Sequence, residues 1–187
     1  MTRRISLMAF FSLALSALLA LPGAAFAQGA KTLDGKDKSF VLEAAQGGMA
    51  EVETASMAKK KATSAQVREF AERMEQDHGR ANDELKRLAQ AKGLSLPSEP
   101  SKKDRDSMRR LEQTAADKFD HDYMKHMVED HKKDVSAFER QAKDGKDAEV
   151  RAFAERTLPT LRSHLSAATQ TYQAVQDATK SASAGKK

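Results

Sequence analysis

Val67-Arg-Glu-Phe-Ala-Glu-Arg73 and Val150-Arg-Ala-Phe-Ala-Glu-Arg156 differ at one position in seven and are related by a shift of 83 in the numbering. In both, Val, Phe and Ala fall three and four residues apart with charges between them, the spacing of one face of a helix. The same offset carries Glu51-Val52 onto Asp134-Val135 and Ser64 onto Asp147, which reads as a duplicated helical hairpin. Outward from the first heptapeptide, Val67, Phe70, Met74, Ala81, Leu85 and Leu88 form the stripe of a helix that Thr63 or Ser64 starts, with Gln66 as a partial capping box, and Gly93 stops. Before it, residues 39–61 carry Phe40, Val41, Ala44, Gly48, Val52 and Ala55 on one side. Outward from the second, Asp147 caps a helix to about Asp177 with Val150, Phe153, Leu158, Leu161, Leu165 and Val175 inward, and Pro159 predicts a kink.

Between the hairpins, residues 93–103 contain Pro97 and Pro100 and form a connection. Ser101 and Asp104 open a helical stretch to about Lys143 with Leu111, Phe119, Tyr123, Met127, Val135 and Phe138. At about 1.5 Å per residue it would be near 60 Å, longer than its partners. A break is therefore expected near residues 117–120, leaving an extra short helix in the connection. Four stripes give an all-α four-helix bundle over residues 39–177, with polar tails at 28–38 and 178–187.

The stretch 1–27 reads as a cleavable export signal. Arg3 and Arg4 precede an apolar run from Leu7 to Leu21, and Ala25-Phe26-Ala27 offers a small-residue cleavage site. Thr2-Arg3-Arg4-Ile5-Ser6-Leu7 partly matches the twin-arginine motif, so both export routes stay open. The expected address is periplasmic or secreted, with no transmembrane segment in the mature chain. Arg3 and Arg4 are the only charges that cleavage removes, so the 32 basic side chains become 30 against 27 acidic ones and the mature charge is +3. Acids and bases alternate along the chain, so no basic stripe for nucleic acid stands out, and Lys59-Lys60-Lys61 reads as a solvated helix end. An envelope protein or a second copy of the chain is the partner class that remains. There is no cysteine, which excludes disulfides, a lipid anchor and c-type haem.

Neither a Gly-rich phosphate loop nor a nucleophile elbow is present, and no catalytic group is assigned. The chemistry lies in the histidines. His78, His131 and His164 sit on or beside the stripes of three different helices, and Glu51 lies beside the stripe of the fourth. Counted from their turns, all four fall at roughly 17 to 28 Å in a bundle about 40 Å tall, near mid-height. Asp134 follows His131 by three residues, and Glu75 precedes His78 by three. Glu51, His78, His131, Asp134 and His164 thus outline a metal site of the carboxylate-and-histidine kind for copper, iron, zinc or manganese. Leu161, three before His164, breaks the Glu-x-x-His pattern of a di-iron centre, and Met124 and Met127 near His131 would suit copper or simply pack the core. The competing reading is a structural network in which Asp77, Asp130 and the histidines link helices without a metal. Which member of Asp77-His78 and Asp130-His131 faces inward is open. His121 and His126 read as surface residues.

Phe70-Ala-Glu-Arg-Met74 with Asp77-His78, Phe119-Asp-His-Asp-Tyr123 with Met127 and Asp130-His131, and Leu158-Pro-Thr-Leu161 with His164 resemble the bacterial family called domain of unknown function 4142, over roughly residues 38–176. The resemblance implies a ferritin-like four-helix fold and an envelope location, and brings no activity. The outer-membrane label that this family often carries does not suit a sequence without alternating strands. Two function classes follow: a non-enzymatic envelope or stress-related binding protein, and a metal-binding or metal-redox bundle.

Overall fold

The computed structural model describes residues 33–184, so the expected export signal lies outside the described residues. Five helices follow in order: α1 (Gly35–Lys61), α2 (Ala65–Ala91), α3 (Lys102–Gln113), α4 (Ala116–Asp144) and α5 (Ala148–Ala184). α1 begins ahead of its apolar stripe because Asp34 caps it, accepting from the Lys36 N–H at 2.8 Å. α2 ends where Gly93 takes φ +64°, a conformation that glycine adopts without penalty. Ser101 caps α3 through the Asp104 N–H, and Asp147 caps α5 through the Glu149 and Val150 N–H groups. α5 runs unbroken across Pro159, which faces solvent.

The break in the long third stretch falls at Thr114 and Ala115, just before the expected 117–120, and it makes α3 the extra short helix of the connection. Its position has a physical reason. Phe119 and Asp120, both buried, must already be helical, because Asp120 is the cap of another helix. Its carboxylate accepts from the Ser64 N–H at 2.8 Å and from the Thr63 hydroxyl at 2.6 Å, so α2 is capped from across the bundle rather than by the Ser64 side chain.

Asp37 does the same at the other hairpin, accepting from the Asp147 N–H at 2.6 Å, the Lys146 N–H at 3.1 Å and the Gln141 side chain at 2.7 Å. Asp37 and Asp120 are themselves counterparts under the repeat, and so are the residues they cap. Arg68 donates to the Ala62 and Thr63 carbonyls; its counterpart Arg151 donates to those of Gly145 and Lys146. The sequence repeat is therefore a structural repeat, expressed in the hydrogen bonds of both turns.

These caps also fix the topology. α2 and α4 start at one end of the bundle, and α1 and α5 start at the other. α1 pairs with α2 and α4 with α5, while α2 against α5 and α1 against α4 close the square, so neighbours are antiparallel throughout. Residues 92–115 must climb the full height, and α3 lies over α1 and α4 on the way. This is a four-helix bundle with one long crossover.

The core is divided. One cluster gathers Ala58, Val67, Phe70, Met74, Phe119, Tyr123 and Met127; the other gathers Val41, Leu85, Phe138, Val150, Phe153 and Leu161. Between them lies a layer of buried polar side chains: Glu51, Thr54, His78, His131 and His164.

Candidate metal centre

Each histidine of this layer is delivered by a different helix, His78 by α2, His131 by α4 and His164 by α5, and all three are buried. One ring nitrogen from each lies within 4.8 Å of the other two. The ring centroids form a near-equilateral triangle of 5.2, 5.4 and 5.6 Å.

One nitrogen on each ring is occupied. His78 Nδ1 meets Glu51 Oε2 at 2.7 Å, His131 Nδ1 meets the Met127 carbonyl at 2.9 Å, and His164 Nε2 meets Asp77 Oδ2 at 2.8 Å. An acceptor at that position fixes the N–H there and leaves the lone pair on the opposite nitrogen. Those opposite nitrogens, His78 Nε2, His131 Nε2 and His164 Nδ1, are buried and have no protein partner. The carboxylate and carbonyl acceptors thus leave each of the three imidazoles one buried electron-pair donor.

Electrostatics hold His78 and His164 neutral. Burial pushes His78 below the usual histidine range, with Asp134 and Asp77 opposing. Burial likewise takes His164 down to about 4, the bond from Asp77 opposing and the other two histidines assisting. Burial raises Glu51 to about 7 against the pull of His131. Asp134 is raised well above its usual value by burial and by the charge of Glu51. Asp77 is lowered: burial alone would raise it, but His164, Arg80 and Arg73 outweigh that.

Of the five residues expected at the site, the structure brings His78, His131 and His164 together, His131 edge-on to the other two rings. Glu51 stands behind His78, with Oε1 lacking a hydrogen bond and lying 3.6 Å from His131 Nδ1. Its side chain belongs to the buried face of α1, which is turned slightly from the expected stripe so that Val52 moves to the edge. Asp134 stays outside the histidine triangle, half-buried in an adjoining cavity. Glu75, expected to pair with His78, bonds Lys59 at 2.5 Å instead. In both Asp-His pairs the histidine faces inward; Asp130 turns to Lys133 and Asp77 reaches across to His164. In sequence Asp77 is visible only as a neighbour of His78, because its partner lies 87 residues away. Met124 and Met127 are fully buried in the Phe70 cluster, and Met127 serves His131 through its carbonyl. His121 is half-exposed and bonds Tyr172 at 3.1 Å, and His126 is partly buried.

The chain matches the family described as Domain of unknown function (DUF4142) over residues 22–171. It belongs to that family. No curated protein matches it. Among solved structures it is similar to a DUF305 fragment from Deinococcus radiodurans, with a TM-score of 0.67 at 14% identity, covering 76% of this chain and 99% of that one. At that identity the likeness speaks for the helical fold of the DUF4142 domain alone.

The raised Glu51 has a measurable signature in metal-free protein. An acid whose folded pKa lies above its unfolded value contributes stability that is complete below the unfolded pKa and lost as pH rises through the folded one. For Glu51 that window runs from its ordinary 4.5 to about 7. Relative to Glu51→Gln, the wild type should lose about 3 kcal/mol between about pH 4.5 and pH 8. Urea titrations of both proteins across that range measure the difference, and parallel curves would contradict it.

Proposed function

We propose that this DUF4142 domain is an exported metal-binding bundle that holds one first-row transition-metal ion on His78, His131 and His164. The observation that carries the reading is the pattern of ring nitrogens: on every histidine one is engaged by an acceptor and the other is buried without a protein partner, and one ring nitrogen from each histidine lies within 4.8 Å of the other two. That is the outer-sphere pattern of metal-ligating histidines. A purely structural network accounts for only half of it, since each buried polar atom left unpaired costs about 1–3 kcal/mol.

Three imidazoles without a carboxylate among them suit zinc, copper, iron or nickel better than manganese, which prefers oxygen donors. Such a set also leaves a coordination position open for water or a small ligand. The residues supply binding and orientation, and no acid or base is assigned to a reaction.

Metal analysis of protein purified from its own export route, without a chelating tag, tests the reading. About one equivalent of a transition metal per chain is expected, dropping to a trace in the triple variant His78→Ala, His131→Ala, His164→Ala. Metal content equal in the two proteins would contradict it.

The periplasmic address belongs to the same proposal and rests on Arg3, Arg4, the run from Leu7 to Leu21 and Ala25-Phe26-Ala27. Among the described residues no helix is long and apolar enough to cross a membrane. N-terminal sequencing of the exported protein should begin at Gln28. Finding Met1 on the chain in the envelope fraction would refute it.

A further inference from the structure

The repeat that relates the two hairpins maps the histidine layer onto a hollow. Under the repeat, His131 corresponds to Gly48, His164 to Ala81, His78 to Leu161 and Glu51 to Asp134. All four counterparts line one cavity of about 260 Å³. Met74 and Met127, which are fully buried beside the histidines, correspond to Thr157 and Ala44, and these line it too. One half of the duplicated core is filled with imidazole and thioether side chains. The other half has mostly smaller residues at the equivalent places and is open.

The cavity joins the two. Glu51 and His78 are part of its wall, and so are Glu43, Lys133 and Arg140, which are exposed. It therefore leads from the surface between α1 and α4 to the ring that Glu51 holds. Gly47 and Gly48 form part of this wall in the middle of α1, where glycine is an unfavourable helix former. Packing explains Gly48, because a Cβ there would lie 2.0 Å from Asn82 Oδ1. It does not explain Gly47, where a Cβ would meet nothing within 4 Å. A larger side chain at 47 would project into space that is now clear.

We propose that this cavity is the port through which a divalent cation reaches the three imidazoles, with Gly47 keeping it clear and Asp134 as a half-buried carboxylate along the way. The inference rests on the three-histidine reading. Asp134 is half-buried in the same wall that Glu51 lines, so a cation in the cavity has both carboxyl groups beside it. The positive groups at the mouth are drawn aside: Lys133 to Asp130 at 3.2 Å and Arg140 to Ser136 at 2.6 Å. Several water molecules fit the space, so an ion can enter partly hydrated and exchange water for nitrogen at its inner end.

A port governs rates and leaves equilibrium alone. Stopped-flow absorption with Co²⁺, whose visible bands report nitrogen coordination, measures both on the metal-free protein. Gly47→Leu should slow uptake and release alike by about tenfold while Kd stays within about twofold. Asp134→Asn should slow uptake several-fold and weaken its dependence on salt. If Gly47→Leu loads Co²⁺ at the wild-type rate, the port is overturned and the three-histidine site stands. If the wild-type protein takes up no Co²⁺, the site itself fails and the port with it. Should Gly47→Leu not fold, Asp134→Asn decides, and a wild-type rate with wild-type salt dependence overturns the proposal.

Discussion

Zinc or copper added to metal-free protein should stabilise the fold by about 4 kcal/mol once free metal exceeds the dissociation constant about a thousandfold. For a domain of this size that is a rise in Tm on the order of 10 °C. The gain arises because the three nitrogens are assembled only in the folded chain, so binding energy becomes folding energy. His131→Ala should lose most of the increment, since His131 is fully buried at one corner of the triangle. The variant will also be less stable without metal, having lost its packing, so the quantity to compare is the metal-induced rise in each protein. His121→Ala should keep the full rise, because His121 lies outside the triangle and pairs with Tyr172. If no ion moves the transition while His131→Ala still destabilises, the histidines are a structural network and the metal reading falls. The protonation states favour the first outcome near neutral pH: His78 and His164 are held neutral by burial, so the metal displaces few protons.

Much of this is legible in the sequence because helical periodicity and turn chemistry are local. The stripes locate the bundle helices, and the heptapeptide pair announces a repeat that both turns express in equivalent hydrogen bonds. The mid-height convergence of His78, His131 and His164 follows from counting residues back to the turns. What escapes is long-range. Asp37 lies in a stretch whose composition is that of a polar tail, yet it is fully buried as the cap of a helix at the far end of the sequence. Asp120 falls where helix length alone suggests a break, since nothing near it announces the N–H groups of Thr63 and Ser64. The roles of the two carboxylates differ from expectation through rotation. α1, turned slightly from its expected stripe, places Glu51 behind His78, and Asp134 on α4 lies beside the buried face, in the cavity wall. Periodicity does not resolve an angle that small, whereas packing does.

Phe70→Ala and Phe153→Ala should each cost about 3–5 kcal/mol, and the double variant about 6–10 kcal/mol, enough to unfold many domains whose whole stability is about 5–15 kcal/mol. The two rings are repeat counterparts and are 5% and 2% exposed. Phe70 packs edge-on to Tyr123 at 6.3 Å in one cluster, and Phe153 meets Phe138 at 6.0 Å in the other. Additivity is expected because the two rings belong to separate clusters and the histidine layer lies between. Urea midpoints of the single variants with an unchanged slope give the individual costs, and the double variant gives the coupling. Losses below about 1 kcal/mol at both sites would mean that these faces are not buried. A double loss well short of the sum would mean that the polar layer transmits strain from one half-core to the other. Metal provides the internal control, for an ion bound at the layer should return about 4 kcal/mol to either single variant without repairing its cavity. Destabilisation and metal rescue then act in separate layers of one bundle, and a variant that loses both at once would show that the half-cores hold the histidine triangle in shape.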